Sequence, residues 1–413
     1  MTAKRSFHYS PATMAPPSIH PSALHAVQTR LIARAVASNA GEAIVTELCE
    51  GLIAARIPLW RFSLSVPAID PLLRGMSLAW RRGEGLALFP AAHGPEGEKS
   101  FADSPIAWLK DNDREAVRWR LDGAEVPNLP LLAELRAAGA TDYLLHLVGF
   151  APGSAIEGAG LSFATDRAGG FAPDELDALS GLVPTIALAT AKLTVSHTLR
   201  EVASTYLGPA AAERVLSGET RRGQSAVVPA AILLVDLRGF TALADRDDPL
   251  KVVGWLDEHF DALGKPVRRH GGEILKFLGD GFLAVFSVAA SDAPACPACA
   301  GALAAAQEAL ARNDALNAGR RRQGLPVLEA DIVLHFGPVV YGNVGTDRRL
   351  DFTVIGRAVN EASRIERLCD ALERPLLISD AFARRCAAPL TEVGAFELRG
   401  IERAQRVWAL PQD

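Results

Sequence analysis

An excess of charge of one sign is what this sequence most plainly lacks: 43 Lys and Arg stand against 48 Asp and Glu, a net charge of −5 over 413 residues. A chain so balanced is not built to coat nucleic acid or an anionic membrane. Any phosphate binding must be local, through metal ions, backbone amides and a few cations. Cysteine is scarce, at 5, and odd in number, which argues against a disulfide framework and fits a reducing compartment. Cys296 and Cys299 form a Cys-x-x-Cys pair, but with no second pair they read as packing residues rather than half of a zinc site. No stretch reaches the roughly 18 consecutive apolar residues of a membrane span; the nearest, Leu179–Val195, is broken by Pro184 and Lys192. The Ser-, Pro- and His-rich N-terminus has no continuous hydrophobic signal core and reads as a disordered tail over residues 1–20. A cytoplasmic protein without a membrane span is expected.

What is present suffices for two cores, because 49% of the residues are apolar and domains run to roughly 100–200 residues. Residues 21–185 begin with apolar positions at helical spacing. Strand-like runs follow at Leu59–Val66, Met76–Arg81, Tyr143–Phe150 and Gly158–Thr165, and a helical stretch at Ala172–Leu193 closes the segment. This order predicts an α+β module, in which Trp60, Trp80, Trp108 and Trp119 read as packing aromatics rather than a ligand cage. Over residues 186–228, Ile186, Leu188, Leu193, Val195, Leu199 and Val202 recur at spacings near three and four. A helix burying that stripe can pair with its own copy in parallel, or pack onto its own domain. Tyr206-Leu-Gly-Pro then marks a break.

Residues 229–413 alternate strands and helices. Ala230–Val235 is an unbroken apolar run, hence a buried strand. Pro249–Arg269 is a helix capped by Asp248 with proline at its first position. Glu273–Leu278 and Phe282–Phe286 form a tight hairpin around Leu278-Gly-Asp-Gly. An Ala-rich helix is expected near Ala293–Leu316, strands near Leu328–His335 and Val339–Tyr341, and a helix near Arg357–Leu372.

Asp236 closes the first of these strands, and Asp280 sits 44 positions later between Gly279 and Gly281. If their strands are neighbours, the two carboxylates converge and can hold two divalent ions about 3.5–4 Å apart, the arrangement that serves in-line phosphoryl transfer. In Asp236-Leu-Arg-Gly-Phe-Thr241 the turn after the carboxylate contains Gly239, so that consecutive amides can face an anion. Asn360 and Arg364 are four apart on one helical face, offering an amide for a sugar and a permanent cation for phosphate.

These three segments, with His335-Phe-Gly-Pro-Val-Val-Tyr-Gly-Asn-Val-Gly-Thr between them, closely resemble the class III adenylate and guanylate cyclase domain. The resemblance implies a ferredoxin-like α/β domain, a central mixed or antiparallel sheet flanked by helices. The α+β module ahead of it resembles a GAF-like regulatory domain by layout only. By resemblance, Asp236 and Asp280 hold two Mg²⁺ or Mn²⁺ ions with the Leu237 carbonyl, and amides around Gly239, Phe240 and Thr241 cradle the β- and γ-phosphates. Lys276 and Thr353, with Val354 beside it, meet the base; Asn360 positions the ribose and Arg364 neutralises the α-phosphate. The resemblance further implies a homodimer whose sites lie at the interface, metal aspartates from one subunit and the other groups from its partner. Lys276 donates and suits the N1 acceptor of adenine, so ATP is the expected substrate and cyclic AMP and pyrophosphate the products. Thr353 resembles the subgroup that includes bicarbonate-responsive enzymes. Guanylate cyclase and a non-catalytic nucleotide-binding module are the alternatives, and a diguanylate cyclase likeness at Gly271-Gly-Glu-Ile fails at the flanking motifs. Two departures stand out: Ile401 where the family often has a phosphate-binding lysine, and Arg357 where an acidic or polar residue is common. The N-terminal module would answer to a small molecule or protein regulator that its residues do not name.

Overall fold

A computed structural model describes residues 21–123, 125–151, 153, 156–287, 296–401 and 403–411. The tail assigned to residues 1–20 lies outside them. The chain forms two compact units, 1–202 and 203–413.

The first unit begins with α1 (Pro21–Ala37) and α2 (Gly41–Ala54), then β1 (Arg61–Pro67), β2 (Leu73–Arg81) and β3 (Gly85–Ala92). Two short helices, α3 (Pro95–Ala102) and α4 (Pro105–Asp111), lead to β4 (Ala116–Arg120), α5 (Pro130–Ala137), β5 (Asp142–Gly149) and β6 (Gly158–Thr165). The strands form one antiparallel sheet in the order β3-β2-β1-β6-β5-β4. Bulky residues of one sheet face, such as Phe62, Leu64 and Phe163, pack with Leu31, Leu48 and Leu52 of α1 and α2. Trp60 and Trp119 are buried in a separate cluster with Leu109 and Leu132, and Trp80 joins the main core. Three of the four tryptophans are therefore packing residues, and the fourth, Trp108, sits edge-on to Trp119 at 5.0 Å.

Helix α6 (Pro173–Leu207) follows. One side, including Leu179, Leu182, Val183 and Ile186, fills the core of the first unit, with Leu193 packed against it. The stripe read from sequence is thereby divided. Ile186 and Leu193 belong to the inner side, whereas Leu188, Val195 and Leu199 are 71%, 63% and 58% exposed. With Val202 and Tyr206 these outer residues step by seven, four, three and four, the rhythm of a coiled-coil seam. By length and composition α6 is also apolar enough to cross a membrane, which the break at Pro184 and Lys192 obscured; its inner side is already engaged by the sheet and α1–α2.

The second unit contains α7 (Pro209–Leu216), β7 (Ser225–Arg238), α8 (Phe240–Ala244), α9 (Pro249–Arg269), β8 (Glu273–Leu278), β9 (Gly281–Ser287) and α10 (Pro297–Arg322). After these come β10 (Glu329–Gly345), β11 (Leu350–Ile355), α11 (Arg357–Glu366), α12 (Leu368–Ala371), β12 (Leu376–Ser379), α13 (Asp380–Ala383), β13 (Thr391–Phe396) and β14 (Gln405–Ala409). The sheet runs β13-β14-β12-β10-β7-β9-β8, with β11 on β10, and only β10–β12 is parallel. One face carries a core shared with α9 and α10, the other a core shared with α11 and α12. The Asp248 side chain accepts from the amides of Leu250 and Lys251, the cap expected from sequence. The two strands expected around Gly337-Pro338 are one, because Pro338 lies opposite Pro229 and the two missing N–H donors fall on a single rung. Cys296 and Cys299 are buried in the α9–α10 core, and burial pushes the Cys299 thiol well up, as befits packing residues.

Candidate active site

Alternation along β7 decides where the first aspartate points. Leu233, Val235 and Leu237 enter the α9–α10 core while Ala230, Ile232 and Leu234 enter the opposite one; Asp236 therefore falls on the α11 face. β9 pairs with β7 up to Val235 opposite Phe282, which places Asp280, in the two-residue turn between Leu278 and Gly281, beside Asp236. Gly281 makes this contact close. A Cβ there would lie 2.1 Å from the Val235 carbonyl oxygen and 3.2 Å from the Asp236 Cα, so only glycine lets the two backbones meet.

The pair is electrostatically loaded. Burial first, then the carboxylates of Asp280 and Asp331, push Asp236 up to about 6. Glu366 of α11 faces the same spot and is pushed to about 7 by burial, with Asp236 and Asp331 adding to it. Asp331, opposite Asp236 in the β7–β10 register, is held by Arg238 through two hydrogen bonds of 2.6 and 3.2 Å, so that of the two aspartates on this rung Asp236 is the one left to meet an ion. A divalent cation fits this donor set, since it would relieve the repulsion and the hard oxygen ligands suit Mg²⁺ or Mn²⁺. Among the described residues no group of three or more acidic, His or Cys side chains converges to hold a metal. The remaining ligands would be the Leu237 carbonyl and oxygens of a substrate.

Next along the chain, Gly239 takes a left-handed φ of 78° and caps α8, a conformation that favours glycine. The amides that follow belong to the first turn of a helix and have no intrahelical acceptor. The Phe240 ring packs against the α9–α10 core and anchors the loop, while Thr241 is exposed.

The other motif residues lie apart from the carboxylates. Lys276, exposed on β8, forms an ion pair with Asp351 of β11. Thr353 is two residues further on and, like Val354, buried. On α11, Ala358, Ala362 and Ile365 pack inward. Asn360 is exposed and Arg364 half-buried, with the guanidinium beside the turn at Gly400. Arg364 stands two positions before Glu366, about 200° around the helix, so it is turned away from the carboxylate pair that Glu366 faces. Ile401 packs against the α11 core, and Arg357 forms a 2.6 Å ion pair with Glu361, which gives each departure from the family pattern a structural role. Sequence reasoning missed Asp331, Arg238 and Glu366, because only strand register and helix docking bring them to the site.

Residues 224–410 match the adenylate and guanylate cyclase catalytic domain. The chain is 35% identical over 177 residues to an adenylate cyclase of Anabaena cylindrica, covering 43% of this chain and 34% of that protein. It is 34% identical over 155 residues to adenylate cyclase 1 of Rhizobium meliloti (strain 1021), covering 37% and 23%. The chain thus spans about a third or less of the length of these curated relatives. Among solved structures, the adenylyl cyclase CyaB from P. aeruginosa aligns with a TM-score of 0.42 at 25% identity, over 46% of this chain and 97% of that one.

Proposed function

We propose that this protein is an adenylate cyclase that converts ATP to 3′,5′-cyclic AMP and pyrophosphate as a homodimer, under control of its N-terminal unit. The observation that carries the reading is the division of the motif residues between two directions. Asp236, Asp280 and the Gly239 turn share one end of the sheet, while Asn360 and Arg364 project from the far side of α11, away from that pair. One chain cannot close all of them around one nucleotide, whereas two chains related by a two-fold axis form two such sites.

In this reading the Asp236 and Asp280 carboxylates and the Leu237 carbonyl hold two Mg²⁺ or Mn²⁺ ions, which when bound lower the negative charge of the triphosphate and of the attacking oxygen. The amides of Phe240 and Thr241 receive the terminal phosphates. Lys276 donates to the N1 acceptor of adenine and the Thr353 hydroxyl accepts from its amino group, with Val354 at the ring edge. Lys276 must first loosen its pairing with Asp351. Asn360 orients the ribose so that the 3′-oxygen lies in line with the α-phosphorus, and Arg364 stabilises the charge that grows on the α-phosphate oxygens as pyrophosphate leaves.

The outer seam of α6 supports the dimer. The antiparallel sheet of the first unit, with helices over both faces, is compatible with a GAF-like regulatory module, and Thr353 with the threonine-type subgroup of adenylate cyclases. A cytoplasmic setting goes with this reading. The test is a product assay of the full chain with Mn²⁺ or Mg²⁺ and either ATP or GTP. Cyclic AMP from ATP is expected. Preferential turnover of GTP would replace the reading by guanylate cyclase, and no product at protein concentrations that saturate dimerisation would leave a non-catalytic nucleotide-binding module.

A further inference from the structure

The sheet of the first unit has two unlike faces. On β1, Phe62 and Leu64 enter the helical core, while Arg61, Ser63 and Ser65 turn the other way. Their partners across the sheet are Arg81, Ala79 and Ser77 on β2, and Ala164, Ser162 and Gly160 on β6. Residues this small leave space above the sheet. Between this face and α3, α4 and α5 lies a cavity of ≈ 1000 Å³, at the upper end of the roughly 300–1,000 Å³ typical of small-molecule sites. Phe89, Phe101, Ile106, Leu131 and Leu147 give it an apolar wall.

Most of the cations lining the cavity are already engaged. Arg81 pairs with Glu84 at 3.0 Å and lies over the Trp60 ring at 4.2 Å. Arg74 donates to the Gly97 carbonyl at 2.9 Å and covers Phe101, and Lys110 faces Glu157 at 3.6 Å. Arg61 differs. Half-buried at the floor, its guanidinium makes no hydrogen bond or ion pair among the described residues, and its neighbour across the strands is another arginine. Like charges placed opposite each other in a sheet repel, and burial, with Arg81 adding to it, draws the Arg61 pKa down against the weaker pull of Tyr143 and Glu134. A partly desolvated cation over an empty volume is an anion site in search of its anion.

We propose that this cavity binds a small organic molecule with an apolar body and a single carboxylate, the carboxylate seated on Arg61 beside Ser63. The restriction to one negative charge comes from Glu84, Asp103, Glu134 and Glu157, which also line the cavity and would repel a phosphate ester. The hydroxyl-bearing floor accepts the head, and the apolar wall under α3–α5 accepts the body.

Isothermal titration calorimetry of the full chain with octanoate and 4-phenylbutyrate, each against the matching alcohol, 1-octanol or 4-phenylbutan-1-ol, tests this. At least one acid binds more tightly than its alcohol by about tenfold or more, the worth of a charge-assisted pair. Arg61→Met removes the preference and Arg61→Lys keeps part of it. Ser162→Leu, which fills the cavity and leaves Arg61 in place, abolishes binding of acid and alcohol alike, and far-ultraviolet circular dichroism verifies the fold of each variant. Equal affinity for acid and alcohol, an acid preference that survives Arg61→Met, or no heat from either acid at millimolar concentration overturns the proposal. Cyclase activity does not enter the readout, so this outcome is independent of the catalytic reading.

Discussion

Mixing two inactive variants is the sharpest test of a site divided between chains. Asp236→Ala removes a carboxylate of the loaded pair, and Arg364→Ala removes a cation turned about 200° away from that pair on α11. Each change alone should lower cyclic AMP formation by roughly a hundredfold or more, the scale of losing one group that stabilises developing charge. Random reassociation of equal amounts gives about half heterodimers, and in each heterodimer one site collects both lesions while the other has none. The mixture should therefore recover about a quarter of the wild-type specific activity, read as cyclic AMP formed after co-expression or after mixing at low concentration and reconcentrating. Recovery close to zero, with heterodimers verified by differential tagging, would mean that Asp236 and Arg364 act in the same chain, and the division argued from α11 would be wrong.

Three further outcomes follow from other contacts. Lys276→Glu should exchange a donor for an acceptor and shift the ratio of ATP to GTP turnover toward GTP by about tenfold or more, while Asp351, deprived of its ion-pair partner, adds repulsion that lowers total activity; an unchanged ratio in a two-nucleotide assay would remove Lys276 from base recognition. Val195→Glu with Leu199→Glu puts like charges on the exposed seam of α6 and should weaken the dimer about a hundredfold or more by sedimentation or light scattering, leaving the circular dichroism spectrum unchanged; retention of a tight dimer would reject that seam. His335, 4% exposed, is lowered to about 4 by burial, against the opposing pull of Glu361 at 3.4 Å. Its unfolded value is about 6.5, so the unfolded chain binds the proton more readily. The stabilisation is whole above that value and is lost as pH falls from about 6.5 toward 4, up to roughly 3 kcal/mol. His335→Gln should flatten this dependence in urea melts of the second unit, and an equal slope in both proteins would refute it.

Local chemistry was legible where neighbours in sequence decide the outcome. Asp248 before Pro249 announces both the cap and the first turn of α9, and the hairpin of β8 and β9 is written in Leu278-Gly-Asp-Gly. The motif aspartates were legible for the same reason, each sitting at a strand end marked by glycine. What could not be read depends on register. Pro338 reads as a strand breaker until Pro229 is found opposite it. Asp331 and Arg238 are 93 residues apart, and nothing local says that Arg238 neutralises Asp331 and leaves Asp236 available. The stripe on α6 shows the limit of periodicity: spacing alone lists Ile186 with Leu188, and only docking of the helix sends one inward and leaves the other outside. The small-residue face of the first sheet was hidden likewise, since a serine in a strand reads as weak propensity until three neighbouring strands place their small residues over one cavity.

Gly281 bears on how tightly the distance between Asp236 in its strand and Asp280 in its turn is controlled. Side chains set most separations in proteins, and a rotamer change or a longer neighbour shifts them by fractions of an ångström. Here the ruler is main chain against main chain, the turn that carries Asp280 lying directly on the Val235–Asp236 peptide. Such a contact has a steep repulsive wall and no torsion to relax it. The gap between the aspartates should therefore tolerate substitution at most surrounding positions, and fail abruptly, rather than drift, when position 281 acquires even a methyl group.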